Sequence, residues 1–484
     1  MDQIVVDRRL ALRSAILSIL LLWPLLIFGR PSYLSDSASY QKGGRVAVTF
    51  ALAKLHLAAS ENLMPQRDIS APGEKTSLSE RSGVSADGAR AKAARSITYS
   101  AIAYILRGPG QSMIYLAAFQ AVSLAFIVIV LFEGIAGRRG WRSFAAMALG
   151  FAFLTTAAPV TTGIVPDVFA GIIIGVQLLL TLYWRRISWL IVIILISLSA
   201  FGVSSHASHP PLALGMAVIG SLWLFWFRQT NLLQAWRSIL VVWMPALFGT
   251  LLVSVSGLVG FGEFSIAPKR HPLALARSID NGPARWYLQE HCKRPEYAVC
   301  EIFGTSIPRN VEEFLWLPGG VVQRATPEQM DRIRAEESTI VWRATLAYPG
   351  AQLANIVHDI PSQLISFDIQ AQQYFATIVT DVDGKPALNR GEIEFERPIL
   401  QWLNIAMTIA VLIATVFLAL RLRRMTMQER GLVALLFAAL LINASVCALF
   451  SGVASRYQAR VIMILPLVAL AVAMSRREVQ IKPA

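Results

Sequence analysis

The stretch PSYLSDSASYQKGG, Pro31 to Gly44, directly follows the first long apolar run and carries the residues best suited to chemistry. One carboxylate, Asp36, stands a few residues from where an apolar helix would leave a membrane, among Ser35, Ser37, Ser39, Tyr33, Tyr40 and Lys42. A carboxylate so placed can take the proton of an acceptor hydroxyl, or it is an ordinary aspartate in a solvated connector. A second, Asp167, opens an apolar run after PVTTGIVP. Behind Pro166 it reads as a helix N-terminus, where a carboxylate complements the macrodipole, or as a second acidic group of one site. SSHASHPP holds His206 and His209. With no third ligand the pair makes a poor metal site, which leaves contact with a phosphate or a plain surface loop. SGVASRYQAR sets Arg456 and Tyr457 before the last apolar run. They read as interfacial anchors, or Arg456 pairs with a lipid phosphate.

The elements that would position these residues are membrane spans. The 484 residues are 55% hydrophobic and 15% charged, and about ten runs approach the ~18–20 residues needed to cross a bilayer. They cover approximately 10–29, 111–132, 142–159, 167–184, 187–204, 211–227, 238–259, 398–420, 431–450 and 459–474. The first run lacks a small-residue cleavage site and is expected to be retained. A formal charge of +14 points away from nucleic acid, because the basic residues sit in short clusters between spans. Arg8, Arg9 and Arg13, Arg138, Arg139 and Arg142, Arg185 and Arg186, Arg228 and Arg237, Arg421, Arg423, Arg424 and Arg430, and Arg476, Arg477 and Lys482 occupy alternate loops. Both termini are therefore expected to be cytoplasmic. Asp36, Asp167, His206, His209 and Arg456 then share the outer edge, where a wet and apolar boundary can hold a lipid-linked substrate.

Two long segments face outward on this reading. In the first, 31–110, Gly43 and Gly44 break the chain before an amphipathic run, 45–59, that reads as an interfacial helix. Residues 65–95 read as a loop, and 96–107 as a short surface or re-entrant helix. The second, 260–397, reads as a small, mainly helical soluble domain, broken at Pro349 and Pro361, with Trp286, Tyr287, Phe314 and Trp316 in its core. Cys292 and Cys300 lie there and are expected to form a disulfide if the domain meets an oxidising compartment. Cys447, in an apolar run, reads as a packing residue. The fold class is thus an all-α polytopic membrane protein: residues 1–259 hold spans one to seven, 260–397 the soluble domain and 398–484 the last three spans.

With these residues in place, the layout resembles the GT-C superfamily of integral-membrane glycosyltransferases. Shared features are a first span, a long outward loop with an early acidic residue and surface helices, paired spans with short loops, and an extracytoplasmic domain. The likeness covers the first seven spans well and the last three loosely. FSIAPKRHPLALARSIDNGPARWYLQEHC is also similar to alphaproteobacterial membrane proteins of this layout. The resemblance implies a hexosyl or pentosyl transferase of the bacterial inner membrane. It would move sugar from a polyprenyl-phosphate donor to an envelope glycan or lipid on the periplasmic face. Asp36 would be the base, Asp167 a second acidic site residue and Arg456 a phosphate-binding residue, with His206, His209, Tyr457, Tyr40 and Lys42 as further candidate contacts. No cofactor is implied with certainty, and room is left for a divalent metal. Two features differ: Asp36 stands between serines rather than beside a second acid, and Trp316 is followed by Leu317 and Pro318 rather than completing a WWD signature. A transporter or lipid flippase would carry ionisable or broken spans around a midplane site. A non-catalytic envelope-assembly protein would tolerate the loss of Asp36.

Overall fold

Backbone polar groups in hydrocarbon must find partners within their own segment, so apolar runs of this length become helices. The computed structural model describes residues 3–34, 36–54, 95–108, 112–137, 140–227, 232–374, 377–380, 386–389 and 396–475. Arg138, Arg139, Arg228, Arg476, Arg477 and Lys482, and most of the 65–95 segment, lie outside them. The helices in chain order are α1 Arg8–Leu21, α2 Trp23–Phe28, α3 Ser37–Lys54, α4 Ile97–Ile105, α5 Ile114–Ala136, α6 Trp141–Phe153, α7 Ala157–Thr162, α8 Val168–Leu182, α9 Trp189–Ser205, α10 His209–Phe227 and α11 Leu232–Phe261. After these come α12 Leu273–Asp280, α13 Pro283–His291, α14 Ala298–Phe303, α15 Val321–Arg324, α16 Pro327–Ala347, α17 Pro349–Ile365, α18 Glu396–Arg421, α19 Met427–Phe450, α20 Ser455–Ile462 and α21 Ile464–Met474. A hairpin of β1 Thr377–Thr380 and β2 Pro386–Asn389 precedes α18, with Thr377 opposite Asn389.

Seven stretches among the described residues are long and apolar enough to cross a membrane: Arg8–Phe28, Ile114–Ala136, His209–Trp226, Ala235–Phe261, Pro398–Arg424, Met427–Phe450 and Ser455–Met474. Two shorter apolar helices, α8 and α9, pack among them. The run 142–159 is divided between α6 and α7 rather than forming one helix. Thr155 Oγ1 accepts from the Ala157 N–H at 3.1 Å and donates to the Phe151 carbonyl at 2.6 Å, while Thr156 Oγ1 donates to the Ala459 carbonyl at 2.5 Å. Hydroxyls there take over bonds that a continuous helix would make.

The bundle has two distinct ends. At one, Ile4 bridges to Ile187, and Gln428 Nε2 donates to the Leu182 carbonyl at 3.0 Å. Arg8, Arg142, Arg185, Arg186 and Arg421 all flank helices at this end. At the other, Ser32 bridges to Gly163, and α3 and α4 pack side by side.

The two glycines of α3 do not break it. A Cβ on Gly44 would lie 2.0 Å from the Ser100 carbonyl oxygen, and one on Gly43 3.3 Å from Ser100 Oγ. Their lack of a side chain lets α4 approach to backbone contact, which is worth more here than the helix propensity lost.

Residues 273–348 build a second core around Leu275, Leu288, Phe314, Met330 and Ile340. Tyr287 and Phe314 are buried in it, and Trp316 packs at its margin. Trp286 is exposed instead, its ring edge-on to Tyr348 at 5.3 Å. Cys292 and Cys300 form a disulfide with their Cα atoms 5.1 Å apart. The chain turns at Tyr348, but Pro361 lies within α17, so only the first of the two expected breaks occurs. Gln363 of α17 exchanges two hydrogen bonds with the Ala454 backbone, at 3.0 and 2.8 Å, and so fixes the chain just before Arg456.

Candidate functional site

Asp36 is delivered by a short extended segment pinned on two sides. Ser32 N–H donates to the Thr162 carbonyl, and Ser37 Oγ donates to the Ile164 carbonyl while accepting from the Leu34 N–H. Its carboxylate is shared by two arginines: Arg95 Nη2 reaches Oδ1 at 2.7 Å and Arg456 Nη2 reaches Oδ2 at 3.0 Å. Burial alone would push the Asp36 carboxyl up, but the two guanidiniums outweigh it and hold it well below the usual carboxylate range.

Asp167 occupies the N-cap position of α8, yet its side chain makes no capping hydrogen bond. It turns to Arg460, whose Nη1 is 3.2 Å from Oδ1, and to Arg456, whose Nε is 3.6 Å from Oδ2. This approach depends on Gly171, one turn further along α8. A Cβ there would sit 2.9 Å from the Arg460 carbonyl and 2.4 Å from Met463 Cε. Arg460 Nη2 also donates to Ser208 Oγ at 2.9 Å and to Asn443 Oδ1 at 3.1 Å, close to Cys447. Tyr457 lies beneath both arginines, 5.1 Å from each guanidinium. The cluster sets three guanidiniums, those of Arg95, Arg456 and Arg460, against two carboxylates, which leaves one cation in excess.

The histidines adjoin this network. His206 Nδ1 shares a 2.8 Å hydrogen bond with Ser208 Oγ, the hydroxyl that accepts from Arg460. Burial, reinforced by Arg460 and Arg456, holds the His206 imidazole well below its usual range, so it is neutral. His209 Nδ1 lies 2.7 Å from the Gly202 carbonyl, which can only accept. That fixes the proton on Nδ1 and leaves Nε2 as a lone pair with no partner among the described residues. The two rings are 5.2 Å apart. Among the described residues no group of three His, Cys, Asp or Glu could hold a metal ion. The two carboxylates face guanidiniums instead, so the residues present do not fit a divalent cation.

Tyr40 is buried edge-on against Tyr99 at 5.0 Å, and burial raises its phenol above the ordinary value. Lys42 stands apart: its ammonium is buried without a partner among the described residues, and burial lowers its pKa to about 8. The sequence argument named Asp36, Asp167, Arg456, Tyr457, His206 and His209, and all six lie in or against this cluster. It missed Arg95, Arg460, Ser208 and Asn443. Arg460 could have been found, since it follows Arg456 by four positions and so shares its helix face. Arg95 had no local signal. Its guanidinium also lies 5.7 Å from the Trp316 ring, which brings the margin of the second core to the edge of the site. In comparison with known proteins, the chain matches no family model, no curated protein and no solved structure.

Proposed function

We propose that the chain is a glycosyltransferase of the GT-C type that moves a sugar from a polyprenyl-phosphate donor to an envelope glycan or lipid. On this reading it lies in the bacterial inner membrane with both termini cytoplasmic and the Asp36 site periplasmic. The observation that supports it is the excess cation in the cluster of Arg95, Arg456 and Arg460 with Asp36 and Asp167, set where apolar helices end. A phosphodiester headgroup carries one negative charge and an apolar tail, and it matches both features.

The arrangement also suggests an order of events. With both oxygens paired to arginines, Asp36 is ionised but a weak base. A donor phosphate entering the cluster would draw Arg95 and Arg456 toward itself and leave the carboxylate less paired. Asp36 would then accept the proton of the acceptor hydroxyl as that oxygen bonds to the anomeric carbon. The bond from that carbon to the phosphate oxygen breaks, and the polyprenyl phosphate leaves with the electron pair. It carries one more negative charge than in the donor, and the arginines stabilise that charge. Asp167 acts as a positioning residue that fixes Arg456 and Arg460. On this reading His206 and Tyr457 lie beside the sugar and phosphate.

The test is transfer of radiolabelled sugar from a polyprenyl-phosphate pool to envelope lipids by purified protein. Asp36→Asn is expected to lower the rate roughly 10²–10⁴-fold. Equal transfer by parent and variant would remove the base role. A transporter would instead move label across a sealed vesicle without forming a new glycoside. Of the charges buried in the described spans, Arg13 with Glu133 lies near the far end of α1 and α5, and Arg460 lies near the start of the Ser455–Met474 span, rather than at mid-depth.

A further inference from the structure

The side of α17 that faces away from the protein is apolar and the side that faces inward is polar, the reverse of a helix on a water-exposed domain. Positions 349, 350, 353, 354, 357, 358, 361 and 365 are the exposed ones, and they hold a single ionisable side chain, His358. Leu353, Val357 and Ile365 are 62%, 65% and 74% exposed. With Pro349 and Pro361 they recur at intervals of four, which gathers them on one side of the helix. His358 leans back toward the protein, its Nδ1 3.0 Å from Asp359 Oδ1. The preceding helix, α16, exposes Asp331 and Arg332 in its second turn. The outward polarity therefore changes from one helix to the next.

The polar side chains of α17 are spent inward. Asn355 Nδ2 donates to the Asn281 carbonyl at 3.2 Å, and Asp359 Oδ2 accepts from Arg277 Nη2 at 2.7 Å and from Asn281 Nδ2 at 3.3 Å. Arg277 Nε donates in turn to the Ala448 carbonyl at 3.3 Å, near the end of α19. None of Leu353, Val357 and Ile365 belongs to the second core. Instead α17 packs along α19, one of the stretches long enough to cross a membrane.

From this we infer that α17 is immersed in the lipid leaflet at the Asp36 end of the bundle, with its outward face against acyl chains. Continuity with a span identifies the occupant. Gln363 meets Ala454 just past the end of α19, and Val357 stands six residues back from it, a rise of roughly 9 Å. Interfacial helices sink their apolar side about 5–10 Å into the boundary of headgroups and acyl chains. The apolar surface also has neighbours of its own kind: α19 exposes Phe437, Leu441 and Phe450, and Trp342 and Leu346 are exposed at the end of α16. An indole is common at headgroup depth. The immersion stands independently of the transferase reading.

The test is site-directed spin labelling of the full chain in dioleoylphosphatidylcholine vesicles. The one free cysteine of the parent, Cys447, is buried, and Cys292 and Cys300 are joined, so the parent supplies the background. Labels at Leu353→Cys, Val357→Cys and Ile365→Cys are expected to collide more often with oxygen than with a water-soluble nickel chelate. Leu251→Cys, exposed within the Ala235–Phe261 span, should give the same order. Thr305→Cys, exposed just after α14, should give the reverse. Nickel collisions that exceed oxygen collisions at the α17 positions overturn the inference. A label there that is immobilised and shielded from both reagents overturns it in favour of a protein cover, and spin–spin broadening overturns it in favour of a second copy of the chain.

Discussion

Asp167 Oδ1 lies 3.2 Å from Arg460 Nη1, and the two side chains are 5% and 0% exposed. Asp167 is the one carboxylate paired with Arg460 among the described residues, and Arg460 is the nearer of the two guanidiniums that Asp167 meets. Loss of one partner from such a pair costs about 3–5 kcal/mol, whereas replacing both by apolar or neutral groups costs much less. Arg460→Met and Asp167→Asn are each expected to lower the melting temperature in detergent by several degrees, while the double variant recovers part of the loss. A double variant as unstable as the sum of its parents would show that the two side chains do not act as a pair.

Asp36 makes stability depend on acid in a defined direction. Arg95 and Arg456 hold its folded-state carboxyl below the unfolded value, so the folded chain binds fewer protons. That contribution is complete above the ordinary carboxylate range near pH 4 and fades as pH falls toward the folded value. The melting-temperature gap between parent and Asp36→Asn should be constant from about pH 5 to 8 and shrink in stronger acid. A gap that widens in acid would contradict the pairing.

These ion pairs show which parts of the site a linear reading can reach. Asp36, Asp167 and Arg456 carry charge beside the ends of apolar runs, and burial in a bilayer puts run ends of one sense on one face. Arg460 escapes because it lies inside a run long enough to count as a span, and its partners come from the residues just before α8 and α10 and from α19. Arg95 escapes because its meeting with Asp36 is set by packing across 59 residues of chain. The run 142–159 misleads through its two threonines, whose hydroxyls compete for backbone groups. Gly43 and Gly44 mislead because a local rule reads glycine as a breaker, while here it serves a tertiary approach.

Lys42 should show the opposite pH behaviour. Burial lowers its pKa from 10.5 to about 8, so between these values the unfolded chain holds a proton that the folded chain has released. Stability from this group therefore rises with pH across that window and is reduced at neutral pH. Lys42→Met is expected to melt higher than the parent at pH 7, with the advantage closing between about pH 8 and 10.5. The same variant separates packing from function: full transfer activity would take Lys42 out of substrate binding.

Gly44 sets the last expectation, because it controls how the Asp36 segment meets its second wall. The atom that any other side chain would add lies 2.0 Å from the Ser100 oxygen and 2.8 Å from Tyr104 Cβ, the first of them backbone that cannot rotate away. Ala at this position must push α3 and α4 apart, even though alanine favours a helix by about 1 kcal/mol over glycine. The steric term should win, since Tyr99 of α4 packs directly on Tyr40 and holds Gln120 through its hydroxyl at 2.9 Å. Gly44→Ala is therefore expected to lower the melting temperature, and Gly44→Val to lower it further. Gly140→Ala is the control, because a Cβ there would meet nothing within 4 Å, and its melting temperature should stay close to the parent. A Gly44→Ala variant more stable than the parent would mean that the two helices pack less closely than these distances require.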